Sequence, residues 1–140
     1  MAAFTVQVSE GDAPPGSVAV RREVFIDEQG VTEREEIDGL DPGCVHFVAE
    51  QGGQAVGCAR LRRLDGATKV ERVAVVARLR STGLGRALMN EAEAEAERRG
   101  WLPLMLHAQL SSVGFYEHLG WKAEGPVFEE AGIPHRRMVR

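Results

Sequence analysis

The densest group of chemically suggestive side chains in this sequence spans residues 78–86, which read Arg-Leu-Arg-Ser-Thr-Gly-Leu-Gly-Arg. An apolar, strand-like run precedes the group, and a helix-like run begins within it at Leu84. Glycines at the start of a helix let the backbone approach a ligand closely, and the free N–H groups there bind anions together with the helix dipole. Each arginine at this positive end would be unfavourable by about 0.3–1 kcal/mol. A bound anion would offset that cost, so the segment predicts a site for a phosphate-bearing cofactor.

This segment differs from the two commonest phosphate-binding loops. The GxxxxGK[ST] pattern of nucleoside triphosphate sites does not occur in the sequence. The dinucleotide pattern also fails, because Leu88 stands where a third glycine would follow Gly83 and Gly85, and the next strand brings no ribose-binding acid. What remains is Arg80-x-x-Gly83-x-Gly85 between a strand and a helix.

A candidate general acid lies in a second group, residues 112–121, which read Ser-Val-Gly-Phe-Tyr-Glu-His-Leu-Gly-Trp. Phe115 and Leu119 are four residues apart on a predicted helix, so we expect both to face the core, while Tyr116 is free to point elsewhere. A phenol, with a pKa of about 10, can donate a proton to a basic group. The alternative is a tyrosine at the edge of the core whose hydroxyl bonds to the backbone.

Glu71 lies on the strand before the arginine segment and is the first choice for a general base. Side chains alternate along a strand, so Glu71, Val73 and Val75 should share one face. An amine is mostly protonated near neutral pH and must lose a proton, directly or through water, before it attacks. In the alternative interpretation, Glu71 is a surface carboxylate that pairs with Lys69 or Arg72. The sequence leaves open whether Glu71 or a chain of water molecules takes the proton.

Three histidines are further candidates. His46 and His107 are rival bases, because imidazole titrates near neutrality. The alternative, which is the commoner case, is that each is a structural histidine with satisfied hydrogen bonds. His135 lies in a Gly-Ile-Pro-His turn, from which it would reach a pocket for the acceptor, and the alternative is an ordinary loop residue.

The stretch 27–41 is strongly acidic. It carries seven acidic side chains against the single Arg34, a local charge of −6 in a chain whose net charge is −4. The rest of the chain is therefore slightly basic. An acidic rim would attract a cationic amine, whereas a solvated loop is the alternative for such a run of charge.

Several of these stretches together resemble the GCN5-related N-acetyltransferases (GNAT superfamily), which bind acetyl-CoA. The Arg80-x-x-Gly83-x-Gly85 loop resembles the family's pyrophosphate-binding segment, with Ser81 at a position where glycine is usual. Residues 115–121 resemble the family's Phe-Tyr-x-x-Leu-Gly-aromatic segment. Residues 24–31 and 130–135 resemble a bacterial subgroup called ElaA-like or YjcF-like. The resemblance covers residues 18–140, most of the chain.

The resemblance implies how the cofactor would be held. The pyrophosphate would accept hydrogen bonds from the backbone of the loop residues Arg80, Ser81, Thr82, Gly83, Leu84, Gly85 and Arg86. The main chain at Val73, Ala74 and Val75 would pair with the pantetheine amides as another strand would, which requires this strand to splay from its neighbour. Gln109 and Ser112 would contact the pantetheine arm, and helix capping is the alternative for both.

The resemblance also implies the reaction, the direct transfer of an acetyl group from acetyl-CoA to a primary amine without a covalent enzyme intermediate and without a metal. Glu71 would deprotonate the amine, a backbone N–H near Val73 would hold the oxyanion, and Tyr116 would protonate the CoA thiolate. The acceptor would be a small-molecule amine or a peptide amine, and the protein a monomer or a homodimer. Two alternatives remain: a non-catalytic, regulatory acyl-CoA-binding module, and a protein acetyltransferase acting on lysine or N-terminal amines.

The pattern of apolar residues predicts a mixed α/β (α+β) domain in the order β-α-loop-β-β-β-α-β-α-β-β. We expect a single GNAT domain over residues 1–140, with a mostly antiparallel sheet of about six to seven strands flanked by about four helices. The predicted helices are 18–29, 84–99 and a short one that Ser111 or Ser112 caps and Gly120 ends. The predicted strands lie near residues 4–8, 44–50, 54–64, 69–76, 101–107, 121–123 and 136–140.

Composition excludes several other classes. The pI of about 5.6 indicates no global basic surface, so we expect no nucleic acid partner. Gly52-Gly53 reads as a two-residue turn that sets Cys44 opposite Leu61 and Cys58 opposite Phe47. We therefore expect reduced thiols and a cytoplasmic location. With no signal peptide and no 18-residue apolar run, we expect no membrane association.

Overall fold

The computed structural model describes residues 3–140, so Met1 and Ala2 of the segment examined for a signal peptide lie outside it. Its strands are β1 (Thr5–Glu10), β2 (Val45–Gln51), β3 (Gln54–Leu64), β4 (Ala67–Val75), β5 (Leu104–Gln109), β6 (Lys122–Glu130) and β7 (Ile133–Val139). Its α-helices are α1 (Pro15–Arg21), α2 (Glu33–Glu36), α3 (Leu84–Arg98) and α4 (Val113–His118), and a π-helical segment, Arg22–Glu28, continues α1. None of the helices in this range has the length and hydrophobicity to cross a membrane.

The strands form one sheet in the order β1-β2-β3-β4-β5-β7-β6, in which only β4 and β5 pair in parallel. This architecture confirms the predicted mostly antiparallel sheet with flanking helices. The apolar stripe of α3 covers one face, and its residues Leu84, Leu88, Ala92 and Ala96 are buried in the main core. Such a four-residue repeat places side chains on one side of a helix. On the opposite face, Val20 and Val24 pack against Cys58 and Ala74.

The β2–β3 hairpin turns at Gly52-Gly53, where both residues have the positive φ that a two-residue turn requires. The predicted register is wrong by one residue beyond Ala49, because a bulge there shifts the pairing. Cys58 consequently lies opposite Val48 rather than Phe47. Both cysteines are free and buried, in agreement with the expectation of reduced thiols.

The C-terminal elements are longer than predicted. The strands expected at 121–123 and 136–140 are the ends of a long hairpin in which β6 and β7 pair from Lys122↔Val139 to Glu130↔Ile133. An irregularity between Glu124 and Phe128 interrupts the alternation on which the prediction depended. Before this hairpin, α4 starts at Val113, and the Ser112 side chain makes no capping hydrogen bond.

The splay that a pantetheine arm would require is present between β4 and β5. The two strands pair only through Thr68–Val70 and Leu104–Leu106. Farther along, β4 continues to pair with β3 as far as Val75, and β5 continues with β7 as far as Gln109. The strands therefore diverge and leave a cleft in the middle of the sheet.

Candidate active site

A cavity of about 1170 Å³ occupies the cleft between β4 and β5. Single-ligand pockets are commonly about 300–1,000 Å³, so this cavity has room for two ligands. Most of the predicted site residues line it: Glu71, Val73, Ala74, Val75, Arg80, Ser81, Gly83, Gly85, Arg86, Gln109, Ser112 and Tyr116. Thr82 and Leu84 do not. The Thr82 hydroxyl donates to the Leu79 carbonyl at 2.5 Å, and the Leu84 side chain is buried in the core.

The loop before α3 presents free backbone donors to one end of the cavity. The Ala87 N–H donates to the Gly83 carbonyl, whereas the N–H groups of residues 81–86 have no acceptor in the part of the chain that the structure describes. Gly83 has φ +93° and Ser81 has φ +64°, so the loop turns through the left-handed region on both sides of Thr82. Successive N–H groups in such a turn form a concave site for anions. The loop therefore has the geometry of an anion site, and the binding of a phosphate there stays a prediction.

The arginines of this loop have different partners. Arg80 forms a bidentate pair with Glu28, at 2.5 and 2.7 Å, and its Nε donates to the Val75 carbonyl at 3.0 Å. Arg78 has only a 3.4 Å hydrogen bond to Gln54. Arg86 forms no ion pair within residues 3–140. Arg80 therefore joins the π-helical segment to β4, and Arg86 leaves its charge available to a ligand.

A β-bulge in β4 changes which of its side chains share one face of the sheet. Arg60 pairs with Glu71 while Cys58 pairs with Ala74, so β4 holds one extra residue. The extra residue is accommodated at Arg72, whose φ is +55°. Because a bulge reverses the alternation, Ala74 packs beneath the first helix whereas Val73 and Val75 pack against the main core. The prediction that Glu71, Val73 and Val75 share one face is therefore wrong.

Glu71 is surrounded by cations rather than solvated. Its Oε1 accepts from Arg60 Nη2 and Arg62 Nε, both at 2.8 Å. Its Oε2 accepts from Arg62 Nη2 at 3.0 Å and lies 3.1 Å from Lys69 Nζ. A carboxylate has about four lone-pair sites, and these contacts occupy them. Burial alone would raise the pKa of Glu71, but hydrogen bonds from Arg62 and the charges of Arg60 and Lys69 hold it well below its usual range. Glu71 is consequently a weak direct proton acceptor.

Tyr116 is buried, with 8 % of its surface exposed, and its ring makes edge contacts with Phe115 and Trp121. Phe115, by contrast, is 37 % exposed, so the expectation that Phe115 faces the core is wrong. Phe115 instead lies over Gly85, where an added Cβ would come 3.1 Å from the Phe115 ring. Burial raises the pKa of the Tyr116 phenol, and no hydrogen bond from the hydroxyl occurs among the described residues. The hydroxyl therefore keeps its proton and is not bonded to the backbone.

The histidines separate into two groups. His46 is buried outside the cavity, with Nε2 close to the carbonyls of Gly11 and Asp41. His107 and His135 both line the cavity on either side of Glu130. His107 Nδ1 lies 3.0 Å from Glu130 Oε1, and His135 Nδ1 donates to the Ile133 carbonyl. With Nδ1 of His107 donating to Glu130, its Nε2 carries a lone pair.

Most residues of the acidic stretch 27–41 are exposed, and Glu28, Glu35, Glu36 and Asp38 line the cavity. Five of its seven acids pair with arginines from elsewhere: Glu28 with Arg80, Glu33 with Arg22, Glu36 with Arg21 and Arg72, Asp38 with Arg60 and Arg72, and Asp41 with Arg21 and Arg60. The negative charge of the stretch is therefore largely offset within the protein. Its role is to hold the loop against β3 and β4, beside the cavity.

Residues 10–140 match the family model described as "Acetyltransferase (GNAT) domain". The chain belongs to the GNAT acetyltransferase family. It is 39% identical over 122 residues to the Bacillus subtilis protein named "Uncharacterized N-acetyltransferase YjcF", which covers 86% of this chain and 87% of the relative. The crystal structure of an acyl-CoA N-acyltransferase from Pseudomonas aeruginosa has 31% identity and a TM-score of 0.86, with 99% of both chains covered. Escherichia coli ElaA has 26% identity and a TM-score of 0.86, covering 97% of this chain and 99% of ElaA.

Several residues that line the cavity of this GNAT domain were not predicted from the sequence. Gln29, at the end of the π-helical segment, exchanges hydrogen bonds with Gln109 at 2.9 and 3.3 Å. Glu130 lies beside His107 and His135, and Lys69 and Arg62 lie beside Glu71. Gln29 and Glu130 occur within the two subgroup phrases at 24–31 and 130–135, so those phrases were a usable signal. Lys69 carries no comparable signal beyond its position two residues before Glu71.

Proposed function

We propose that the protein transfers the acetyl group of acetyl-CoA directly to a primary amine, in the cytoplasm. The observation that carries this proposal is the row of free N–H groups at 81–86 at one end of the cleft between β4 and β5. A helix N-terminus with unpaired N–H groups suits a pyrophosphate. Beyond Val70, the edge of β4 that faces the cleft no longer pairs with β5. This edge suits an extended arm that adds to the sheet at Val73, Ala74 and Val75.

The leaving group would be protonated by Tyr116. The amine nitrogen attacks the thioester carbonyl, and the oxyanion forms near a backbone N–H at Val73. When the tetrahedral intermediate collapses, the C–S bond breaks and the thiolate sulfur takes the Tyr116 proton. The Tyr116 hydroxyl is protonated at neutral pH and has no competing hydrogen bond among the described residues, so its proton is available when the thiolate forms.

The amine proton requires a different acceptor from the one predicted. The lone pairs of Glu71 are occupied, which argues against direct proton transfer to it. Glu71 would instead offset part of the positive charge of the cations around it. Water in the cavity and the free Nε2 of His107 are the proposed acceptors. Glu130 would orient the His107 ring through its hydrogen bond to Nδ1, as a carboxylate beside a catalytic histidine does.

A thermal melt with acetyl-CoA, CoA or NAD tests the cofactor. A ligand at 100 times its dissociation constant stabilises the fold by about 2.7 kcal/mol, so acetyl-CoA and CoA should raise the melting temperature and NAD should not. No shift with saturating acetyl-CoA would refute the proposed site. A shift without CoA release from any amine or lysine peptide would favour the non-catalytic binding module, and turnover of peptides alone would favour a protein acetyltransferase.

A further inference from the structure

Two cations on the cavity wall keep hydrogen-bond donors for which the protein offers no acceptor. Lys69 is 9 % exposed, and within residues 3–140 its ammonium contacts only Glu71 Oε2. An ammonium has three N–H donors, so the others are unused. Arg62 gives Nε and Nη2 to Glu71, and its Nη1 has no acceptor in the described chain. Neither Lys69 Nζ nor Arg62 Nη1 is among the polar atoms sealed from solvent, and both side chains line the cavity.

Glu71 cannot satisfy these donors, because its lone pairs are already occupied. Glu71 also offsets only one of the two charges on Lys69 and Arg62. The third cation on Glu71, Arg60, is paired with Asp38 and Asp41. This wall of the cavity therefore keeps a positive charge in excess. A buried cation with an incomplete set of acceptors is costly, so an anionic ligand group is the natural complement.

A group of opposite charge lies in the same cavity. Glu130 is half-exposed there, with His107 Nδ1 at 3.0 Å and His135 Nε2 at 3.8 Å. The hydrogen bond from His107 and the positive charge of Lys69 both lower the pKa of Glu130, so it is a carboxylate near neutral pH. The cavity thus presents a cationic wall and an anionic group to one ligand.

We propose that the acceptor is an amino carboxylate, such as an amino acid, whose carboxylate binds Lys69 and Arg62 while its amine faces Glu130 and the thioester. This inference rests on the acetyl transfer proposed above. An arginine edge and an ammonium are the donors that hold a planar carboxylate best. A carboxylate also brings the one negative charge that the wall lacks, whereas a phosphate monoester brings about 1.5–2.

Matched pairs of amines that differ only in the carboxylate test the assignment. Suitable pairs are alanine with ethylamine and lysine with 1,5-diaminopentane, and phosphoethanolamine reports on a phosphate instead. The release of CoA from acetyl-CoA, measured as free thiol, gives kcat/KM for each. We expect at least about a ten-fold higher kcat/KM for the carboxylate member, which corresponds to about 1.4 kcal/mol.

The variant Lys69→Met removes the charge and keeps the unbranched stem, so its packing is close to that of the native side chain. We expect the preference within each pair to fall toward one. Lys122→Met is the matched control, because Lys122 is the only other lysine of the chain and lies exposed on β6. A second readout needs neither turnover nor a substitution. In thermal melts of the native protein with CoA, the product N-acetylalanine should raise the melting temperature more than the product N-ethylacetamide.

Equal kcat/KM within the pairs, a preference that survives Lys69→Met, or equal stabilisation by the two products would overturn the inference. A preference for phosphoethanolamine would overturn it in favour of a phosphate-bearing acceptor. The absence of turnover with every pair, in a protein that acetyl-CoA stabilises, would overturn the acceptor class and leave the cofactor site intact. A protein that acetyl-CoA does not stabilise would instead overturn acetyl transfer itself.

Discussion

Replacing Ser81 with glycine should stabilise the free protein. Ser81 has φ +64°, a left-handed conformation that favours glycine. A non-glycine residue in this region costs about 1–2 kcal/mol, because Cβ approaches the following carbonyl. Glycine removes that cost and adds about 0.5–1 kcal/mol of backbone entropy to the unfolded chain. The net gain in unfolding free energy should therefore be about 0.5–1 kcal/mol.

Urea unfolding and thermal melts measure this gain directly. A change of 1 kcal/mol moves the melting temperature of a domain of this size by about 2–4 °C, so Ser81→Gly should melt up to a few degrees higher. Acetyl-CoA should raise both melting temperatures by similar amounts, because the N–H group of residue 81 is retained.

Ser111→Gly is the matched control for this prediction. Ser111 is also an exposed serine, in the 3₁₀-helical turn Leu110–Ser112, but it lies outside the positive-φ residues of the described chain. Glycine there brings only the entropy cost and should destabilise by about 0.5–1 kcal/mol. If Ser81→Gly destabilises the protein as much as Ser111→Gly does, the argument from left-handed strain at the phosphate loop is refuted.

Three further substitutions test other parts of the site. Tyr116→Phe should lower kcat by about 10²-fold or more. The affinity for acetyl-CoA and the unfolding free energy should stay nearly unchanged, because the hydroxyl has no hydrogen-bond partner among the described residues. Normal turnover would remove Tyr116 from the mechanism. Glu71→Gln should cost about 3–5 kcal/mol at pH 7, since it leaves buried cations uncompensated. The folded-state pKa of Glu71 is lowered, so the stability that its carboxylate contributes is complete at pH values above its unfolded-state pKa of about 4.3 and declines below that pH. Urea unfolding at several pH values should therefore show that Glu71→Gln costs less stability in acid. A cost that does not change with pH would contradict this. Arg86→Gln should weaken acetyl-CoA binding and reduce the salt dependence of that binding, both measured by calorimetry. The unfolding free energy should stay equal or rise by about 0.3–1 kcal/mol. An unaltered affinity would show that the Arg86 charge does not reach the ligand.

The parts of the molecule that depend on local spacing could be predicted from the sequence. The four-residue repeat of α3 gave its buried stripe, and the loop at 80–86 combined a strand, glycines and a helix start within a few residues. Each signal lies in consecutive residues whose geometry is fixed by φ, ψ and helical period. The GNAT fold followed from these segments together.

The arrangement around Glu71 depends on pairing between distant strands, which local spacing does not contain. The bulge at Arg72 exists only because β4 pairs with β3 across Cys58 and Arg60. It reverses the faces of Val73 and Val75. Two of the three cations on Glu71, Arg60 and Arg62, also come from the neighbouring strand, so its weak basicity is a property of the folded sheet. The same reasoning explains the acidic stretch 27–41, whose partners lie up to dozens of residues away.

The exchange of hydrogen bonds between Gln29 and Gln109 has a consequence for how relatives diverge. Each amide gives one hydrogen and receives one, and a second amide complements an amide in both directions. A change to glutamate or lysine at one position would leave two acceptors or two donors facing each other. The two positions are 80 residues apart in the chain, yet a substitution at either one would disrupt the same pair of hydrogen bonds. Aligned relatives should therefore keep both glutamines or replace both together.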